Sequence, residues 1–225
     1  RGPDVSARRL ADSTWTELIG RPTFVALPIG SCEQHGPHLP LDTDTRVAEH
    51  LALALAGRRD DVVVGPSVTI GTSWEHHGFP GLLSIDPDIL ADLLVETARS
   101  ADWAAGLVFV NGHGGNASGL RAAVERIRAE DRRAMLWSPR IADGDAHAGR
   151  TETSMLLAIS PDVVRLPLPD EGFTDAWHDA AIHGVRAISP NGVLGRATGA
   201  SADEGAALLA QLADDLVDAF DRWRA

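Results

Sequence analysis

Along the chain, short and wholly apolar runs alternate with longer stretches whose apolar residues recur every three to four positions. Five runs read as strands: residues 23–29, closed by Gly30, then 62–64, 68–70, 107–110 and 134–137. They are continuously apolar rather than alternating, which predicts strands covered on both faces, as in a parallel sheet. Four stretches read as helices. The first covers residues 44–56. The second starts at Pro87, just behind Asp86, and runs to about residue 105. A third reaches from Asn116, its expected cap, to about residue 130, and the last covers residues 205–224 behind the capping box Ser201-Ala-Asp-Glu204. In that last helix Leu208, Leu209, Leu212, Leu216 and Phe220 share one stripe and are expected in the core.

Strand and helix in alternation imply right-handed βαβ units. The expected fold class is α/β, a three-layer α/β/α sandwich with a mostly parallel central sheet. There is no repeat and no low-complexity tract. Residues 167–172 read as a long loop rather than a linker, so residues 1–225 are taken as a single domain.

Composition narrows the partners. Of 225 residues, 44% are hydrophobic, enough to bury a substantial core. The net charge of -12 argues against nucleic acid and against anionic membrane surfaces, both of which need concentrated basic charge. Every basic side chain besides histidine is Arg, a pattern expected from a GC-rich genome. The single cysteine, Cys32, cannot form an intrachain disulfide, which favours a reducing cytoplasm. No stretch approaches the roughly 18 consecutive apolar residues of a membrane helix, and no signal-like segment stands out.

In parallel sheets, ligands bind beyond the carboxyl ends of the strands, and the most polar segments fall there. After residue 29 come Glu33, His35, His38, Asp42 and Asp44. Glu33 and His35 are two apart, so an extended backbone points both the same way, and Gly36, Pro37 and Pro40 bend the chain so that Asp44 can return. Carboxylates mixed with imidazoles suit Zn, Fe or Mn better than Ca or Mg. Behind residue 110 stands Asn111-Gly-His-Gly-Gly-Asn116, with His113 at the apex of a turn. Strand, glycine-rich turn and helix also describe a nucleotide-binding module, but the glycines do not match G-x-G-x-x-G followed by an acid. A third segment holds His147 and Glu152, candidate acid/base or ligand groups. A fourth holds Trp74, Glu75 and His76, placed to line a pocket. His38 and Asn116 are read with Trp74 as substrate contacts. Trp137 and Trp177 are candidate pocket walls, and His178 and His183 are read as surface histidines. Nucleophilic hydrolysis by Cys32 or a serine lacks a G-x-S-x-G elbow.

Together these segments resemble the creatininase family. The resemblance is carried by Glu33-Gln-His-Gly-Pro-His-Leu-Pro-Leu41 with Asp44, by Asn111-Gly-His-Gly-Gly-Asn116, by His147-Ala-Gly149 with Glu152-Thr-Ser154, and by the Phe79-Pro-Gly81 turn. It implies a creatininase-like fold, hydrolysis of a C–N amide bond, and two divalent cations per chain, Fe2+ and/or Zn2+, with Mn2+ also compatible. By the family pattern Asp44 bridges the cations, Glu33 binds one, and His35 and His113 complete the shared set. Creatininase itself carries a further Glu ligand where this chain has Gly115, and Glu152 is placed to complete that set. Glu152 or His147 would move the proton, with Glu75 or His76 in reserve. Asp42-Thr-Asp-Thr-Arg46, Gly71-x-Ser-x-Glu-His76, and Asn191-Gly-Val-Leu-Gly195 with Thr198-Gly-Ala200 most resemble one branch of the family. That branch processes the peptide precursor of the redox cofactor mycofactocin and releases its C-terminal Val-Tyr-derived unit. Hydrolysis of creatinine or of a formamide is the alternative within the family. The same resemblance implies a homo-oligomer, such as a hexamer.

Overall fold

The structure, a computed structural model, describes residues 8–170, 172 and 183–225. Strands β1 (Phe24–Ile29), β2 (Val62–Val64), β3 (Gly106–Asn111) and β4 (Ala134–Trp137) form a parallel sheet in the order β2-β1-β3-β4. Phe24 stands opposite Val62 on one side and Gly106 on the other, and Leu107 stands opposite Ala134.

Side chains alternate across a strand, and here both sets are buried. Ala26, Val64, Val108 and Val110 face α1 (Thr43–Ala56), α4 (Arg150–Ile159) and α6 (Ala202–Arg224), packing with Leu51, Leu55, Leu156, Leu212, Leu216 and Phe220. Val25, Leu27, Ile29, Leu107 and Phe109 face α2 (Pro87–Ser100) and α3 (Ala117–Ala129), packing with Leu90, Leu94, Leu120 and Ile127. Two covered faces explain why the strand sequences are apolar without alternation. A short α5 (Val185–Ile188) lies outside these layers. Among the described residues no helix is long and apolar enough to cross a membrane.

Several elements differ from the sequence expectation. Residues 68–70 add only one bridge, Val68 to Ile29, before the chain turns away. Helix α2 ends at Ser100, where residues 101–104 turn and Ala105 N–H bonds Thr23 to start β3. Helix α4 falls where a loop was expected. Asp145 and Thr151 cap its start reciprocally, Thr151 N–H donating to Asp145 Oδ2 (3.1 Å) and Thr151 Oγ1 accepting from Asp145 N–H (3.2 Å). At α6 Ser201 accepts from the Glu204 N–H (3.2 Å), but the Glu204 carboxylate does not close the box. It accepts instead from Arg150 Nε (2.8 Å) and Ser154 Oγ (2.9 Å), tying α6 to α4.

Candidate active site

Ile29 and Asn111 lie opposite each other at the ends of β1 and β3, so the two segments that follow leave the sheet side by side. Glycine sets how closely they approach. A Cβ at Gly30 would collide with Thr45, and one at Gly112 would collide with the carbonyl of Asp44. The bare backbone at both turns lets the first turn of α1 settle against both strand ends. Glu33, His35, Asp44 and His113 converge there, each 5% exposed or less.

Asp44 is the hub. Its Oδ1 lies 3.1 Å from His35 Nε2, and its Oδ2 lies 3.0 Å from His113 Nδ1 and accepts from Ser31 Oγ at 2.7 Å. Both imidazoles turn their other nitrogen to a backbone carbonyl: His35 Nδ1 to Glu33 (3.2 Å) and His113 Nε2 to Thr72 (2.9 Å). Histidine ligands to metals are held in this way, one N–H on a carbonyl and the other nitrogen left for the cation. Glu33 is fully buried, yet neither of its oxygens has a hydrogen-bond partner. Imidazole nitrogens surround it: His76 Nε2 and His113 Nε2 at 3.3 Å, His147 Nδ1 at 3.7 Å and His35 Nε2 at 4.0 Å. A buried carboxylate without hydrogen bonds is expensive, and a cation is the partner that this donor set fits. Two trios, Glu33–Asp44–His113 and His35–Asp44–Glu152, each bring their donor atoms within 4.8 Å of one another and share only Asp44. Glu33, His35 and His147 form a third such trio.

The charges follow from this packing. Burial pushes the Glu33 carboxyl up to about 7, with Asp44 adding to the rise and His113 and His35 opposing it. Burial disfavours charge on His35 and His113, but Asp44 and Glu152 beside the first, and Glu33 and Asp44 beside the second, raise both to about 10. Asp44 is held well below the usual carboxylate range, since His35 and His113 outweigh its burial. Protons on the two imidazoles thus balance the carboxylates where cations would. Burial holds His38 down at about 4, His76 at about 3, and His147 well below the ordinary imidazole value.

The other anticipated residues divide. Glu152, in the first turn of α4, accepts from Ala148 N–H at 2.6 Å and stands 3.9 Å from His35 Nε2. Burial raises its pKa. Ala148 adopts a left-handed φ of 53° to present that N–H. Glu152 and Asp44 also line a cleft of about 230 Å³, whose walls include Asp145, Thr151, Val47 and Met155. Glu75 Oε1 is buried without a hydrogen-bond partner, 3.7 Å from His113 Nε2. Trp74 is 68% exposed and stacks against His77, with centroids 5.1 Å apart. His38 is buried with Nε2 on Thr153 Oγ1 (2.8 Å), beside Glu152. The Asn116 side chain caps no helix: it accepts from Thr72 N–H (2.8 Å) and donates to the Gly30 carbonyl (2.9 Å), joining three site loops. Trp137 is a core residue whose Nε1 donates to Asp215. His183 is exposed, while Trp177 and His178 lie outside the described residues. Cys32 donates weakly to the Gly81 carbonyl at 3.5 Å.

A side chain at Gly115 would run into the Thr72 carbonyl and the His113 ring, so there is no room for a ligand from that position. Gly115 in this turn lies against the Glu75 carboxylate and His113 against that of Asp44, charges that would repel a phosphate. Sequence reasoning missed Ser31, which braces Asp44, and Gln34, whose buried amide touches His76 and His147.

The creatininase pattern, described as creatinine amidohydrolase, matches residues 11–220. A Mycolicibacterium smegmatis protein named mycofactocin precursor peptide peptidase is 45% identical over 229 residues, covering 96% of this chain and 91% of its own. The Mycobacterium ulcerans protein of the same name is 44% identical over 227 residues, covering 95% of this chain and 91% of its own. In fold, a crystal structure of creatinine amidohydrolase (creatininase) superposes with a TM-score of 0.82 at 23% identity, covering 96% of this chain and 98% of that one. The strand-end glycines, the buried donor set and this near full-length similarity agree: the chain belongs to the creatininase family.

Proposed function

We propose that the chain hydrolyses a peptide amide bond in the modified mycofactocin precursor, releasing its C-terminal Val-Tyr-derived unit. The substrate is taken from the name of the relatives that match nearly the whole chain. The chemistry rests chiefly on Glu33, a wholly buried carboxylate with two unpartnered oxygens, next to a carboxylate shared by two donor trios.

In this reading Glu33, Asp44 and His113 hold one divalent cation, and His35, Asp44 and Glu152 hold a second. Oxygen and nitrogen donors of this kind suit Zn, Fe or Mn. Bound there, two cations supply Lewis-acid polarisation of the scissile carbonyl and make water easier to deprotonate. Glu152 is the proton carrier as well, because its carboxyl lines the cleft beside Asp44. It takes the proton from the attacking water and returns it to the departing amine, while the Ala148 N–H holds its Oε2 in place. His147, buried behind Glu33, is the second acceptor. Glu75 and His76 stand beside His113 and Glu33 on the other side and are the reserve proton acceptors. Val47 and Met155 give the cleft an apolar wall for the substrate.

Metal analysis of protein purified without chelator, combined with mass spectrometry of the incubated modified precursor peptide, tests this. Two cations per chain and release of the C-terminal unit are expected. An uncut peptide with both cations bound overturns the substrate, and no retained cation after reconstitution overturns the site.

A further inference from the structure

Gln34 lies between two residues of the donor set, and its side chain is 6% exposed. Four contacts surround its amide. Oε1 accepts from the Gly36 N–H at 2.8 Å. Nε2 lies 3.1 Å from the Gly192 carbonyl, 2.9 Å from His76 Nδ1 and 3.1 Å from His147 Nε2.

Two of these partners have only one possible role. A backbone N–H only donates and a backbone carbonyl only accepts, so Gly36 fixes the amide oxygen and Gly192 fixes the NH2 group. The amide cannot be flipped without setting donor against donor at Gly36 and acceptor against acceptor at Gly192. His76 Nδ1 therefore faces an N–H and must be the bare nitrogen, which leaves the proton on Nε2. His147 is fixed by a different partner. Its Nε2 lies 2.7 Å from the Gln34 backbone carbonyl, which only accepts, so this nitrogen carries the proton and Nδ1 is bare. The contact between Gln34 Nε2 and His147 Nε2 then joins two donors and is not a hydrogen bond. The two amide hydrogens go to His76 and Gly192.

We propose that Gln34 is a positioning residue whose side-chain amide and backbone carbonyl fix the tautomers of His76 and His147, giving the two imidazoles different roles around Glu33. The protonated Nε2 of His76 lies 3.3 Å from Glu33 Oε1 without forming a hydrogen bond, and the bare Nδ1 of His147 lies 3.7 Å from the same oxygen. His76 thereby has no lone pair on that side and is unable to accept a proton there. His147 Nδ1 is free to accept a proton or bind a cation.

The arrangement also gives a role to the Asn191-Gly-Val-Leu-Gly195 stretch. Gly192 has φ 81°, and a Cβ there would overlap the Gln34 amide. Two residues on, Leu194 pairs with the His147 backbone, donating to its carbonyl at 2.8 Å and accepting its N–H at 3.1 Å. One loop thus seats Gln34 and fixes the backbone of the histidine beside it.

The proposal deepens the hydrolase reading, but its first test needs no substrate. In zinc-loaded, full-length protein with 15N-labelled histidine, solid-state NMR reports which nitrogen of each ring carries the proton. The His76 and His147 signals are assigned from the His76→Ala and His147→Ala variants. Both rings should carry the proton on Nε2. A wild-type His76 protonated on Nδ1 overturns the proposal, whatever the substrate proves to be. Gln34→Met keeps the side-chain volume but removes the donor, and Gln34→Glu replaces it with an acceptor. His76 should lose its single tautomer in the first and move its proton to Nδ1 in the second. For both, kcat on the precursor peptide should fall roughly 10–100-fold, the range typical of groups that orient metal ligands, with KM nearly unchanged. Wild-type tautomers in Gln34→Met also overturn the proposal. If that variant fails to fold, the wild-type and Gln34→Glu spectra decide.

Discussion

Titrating the metal-free protein with Zn2+ at a series of pH values tests the ligand set through the protons it must give up. His35 and His113, both with pKa near 10, each carry a proton at pH 7 in the direction of Asp44. A cation bound to those nitrogens must displace both. Glu33, near 7, is about half protonated at the same pH and adds a fraction more. Loading both sites should therefore release about two and a half protons per chain at pH 7. Removing a proton three pH units below its pKa costs about 4 kcal/mol per histidine. The combined binding constant should rise roughly 300-fold per pH unit near neutrality. The rise should continue until pH passes about 10, where the histidines are already neutral. The metal-free fold should show the opposite trend. Raised histidine pKa values contribute stability that is complete below the unfolded value near 6.5 and is lost as pH climbs through about 10. Isothermal titration calorimetry in buffers of differing ionisation enthalpy counts the released protons directly. Release of fewer than one proton per chain on full loading would refute the assignment of His35 and His113 as charged in the free protein and as ligands in the loaded one.

Asp44→Ala should empty both cation sites and Glu33→Ala mainly one, read by metal analysis of the purified variants; unchanged metal content in Asp44→Ala rules out a shared carboxylate. Glu152→Gln keeps an oxygen near His35 but removes the proton carrier, so turnover should drop by roughly 10²–10⁴ in metal-loaded protein, and a loss under tenfold would assign the proton to another group. Gly112→Ala forces a methyl against the Asp44 carbonyl and should cost about 1–3 kcal/mol in urea unfolding; a neutral substitution would mean that the β3 turn can withdraw from α1.

Much of this fold could be read in the chain because its strands are covered on both sides. The apolar runs at residues 23–29, 62–64, 107–110 and 134–137 needed no partner to be recognised, since both faces of the sheet they form pack against helices. Helix α4 escaped because its first turn, Arg150-Thr-Glu-Thr-Ser154, is polar where Glu152 faces the cleft and Ser154 meets Glu204. Local pattern reports burial, and a helix start that serves a site has little apolar pattern to show. The same limit explains the site. Glu33, His35, Asp44 and His113 were visible as ligand-type residues after strands. Asn116 looked like a cap because local spacing cannot show that Thr72 and Gly30 compete for its amide. Gln34 was hidden because a neutral amide between two charged residues carries no signal of its own. Its partners lie 42, 113 and 158 positions away.

One wall of the cleft comes from a stretch of chain that holds none of the strand-end donors. Glu33, His35, Asp44 and His113 hang from the ends of β1 and β3 and the start of α1, locked by glycines at their contacts. Pro139, Ile141, Gly144 and Asp145, which face the cleft, belong to the segment between β4 and α4. Reactivity and selectivity are therefore separable inheritances. Residues 139–144 carry none of these donors, so that stretch can be rewritten without moving the strand ends and a relative could acquire a new amide to cut. His147 beside Glu33 and the Ala148 N–H on Glu152, by contrast, tie residues 145–149 to the site. For a protein engineer, residues 139–144 are the part to diversify and the two glycine turns are the part to leave alone.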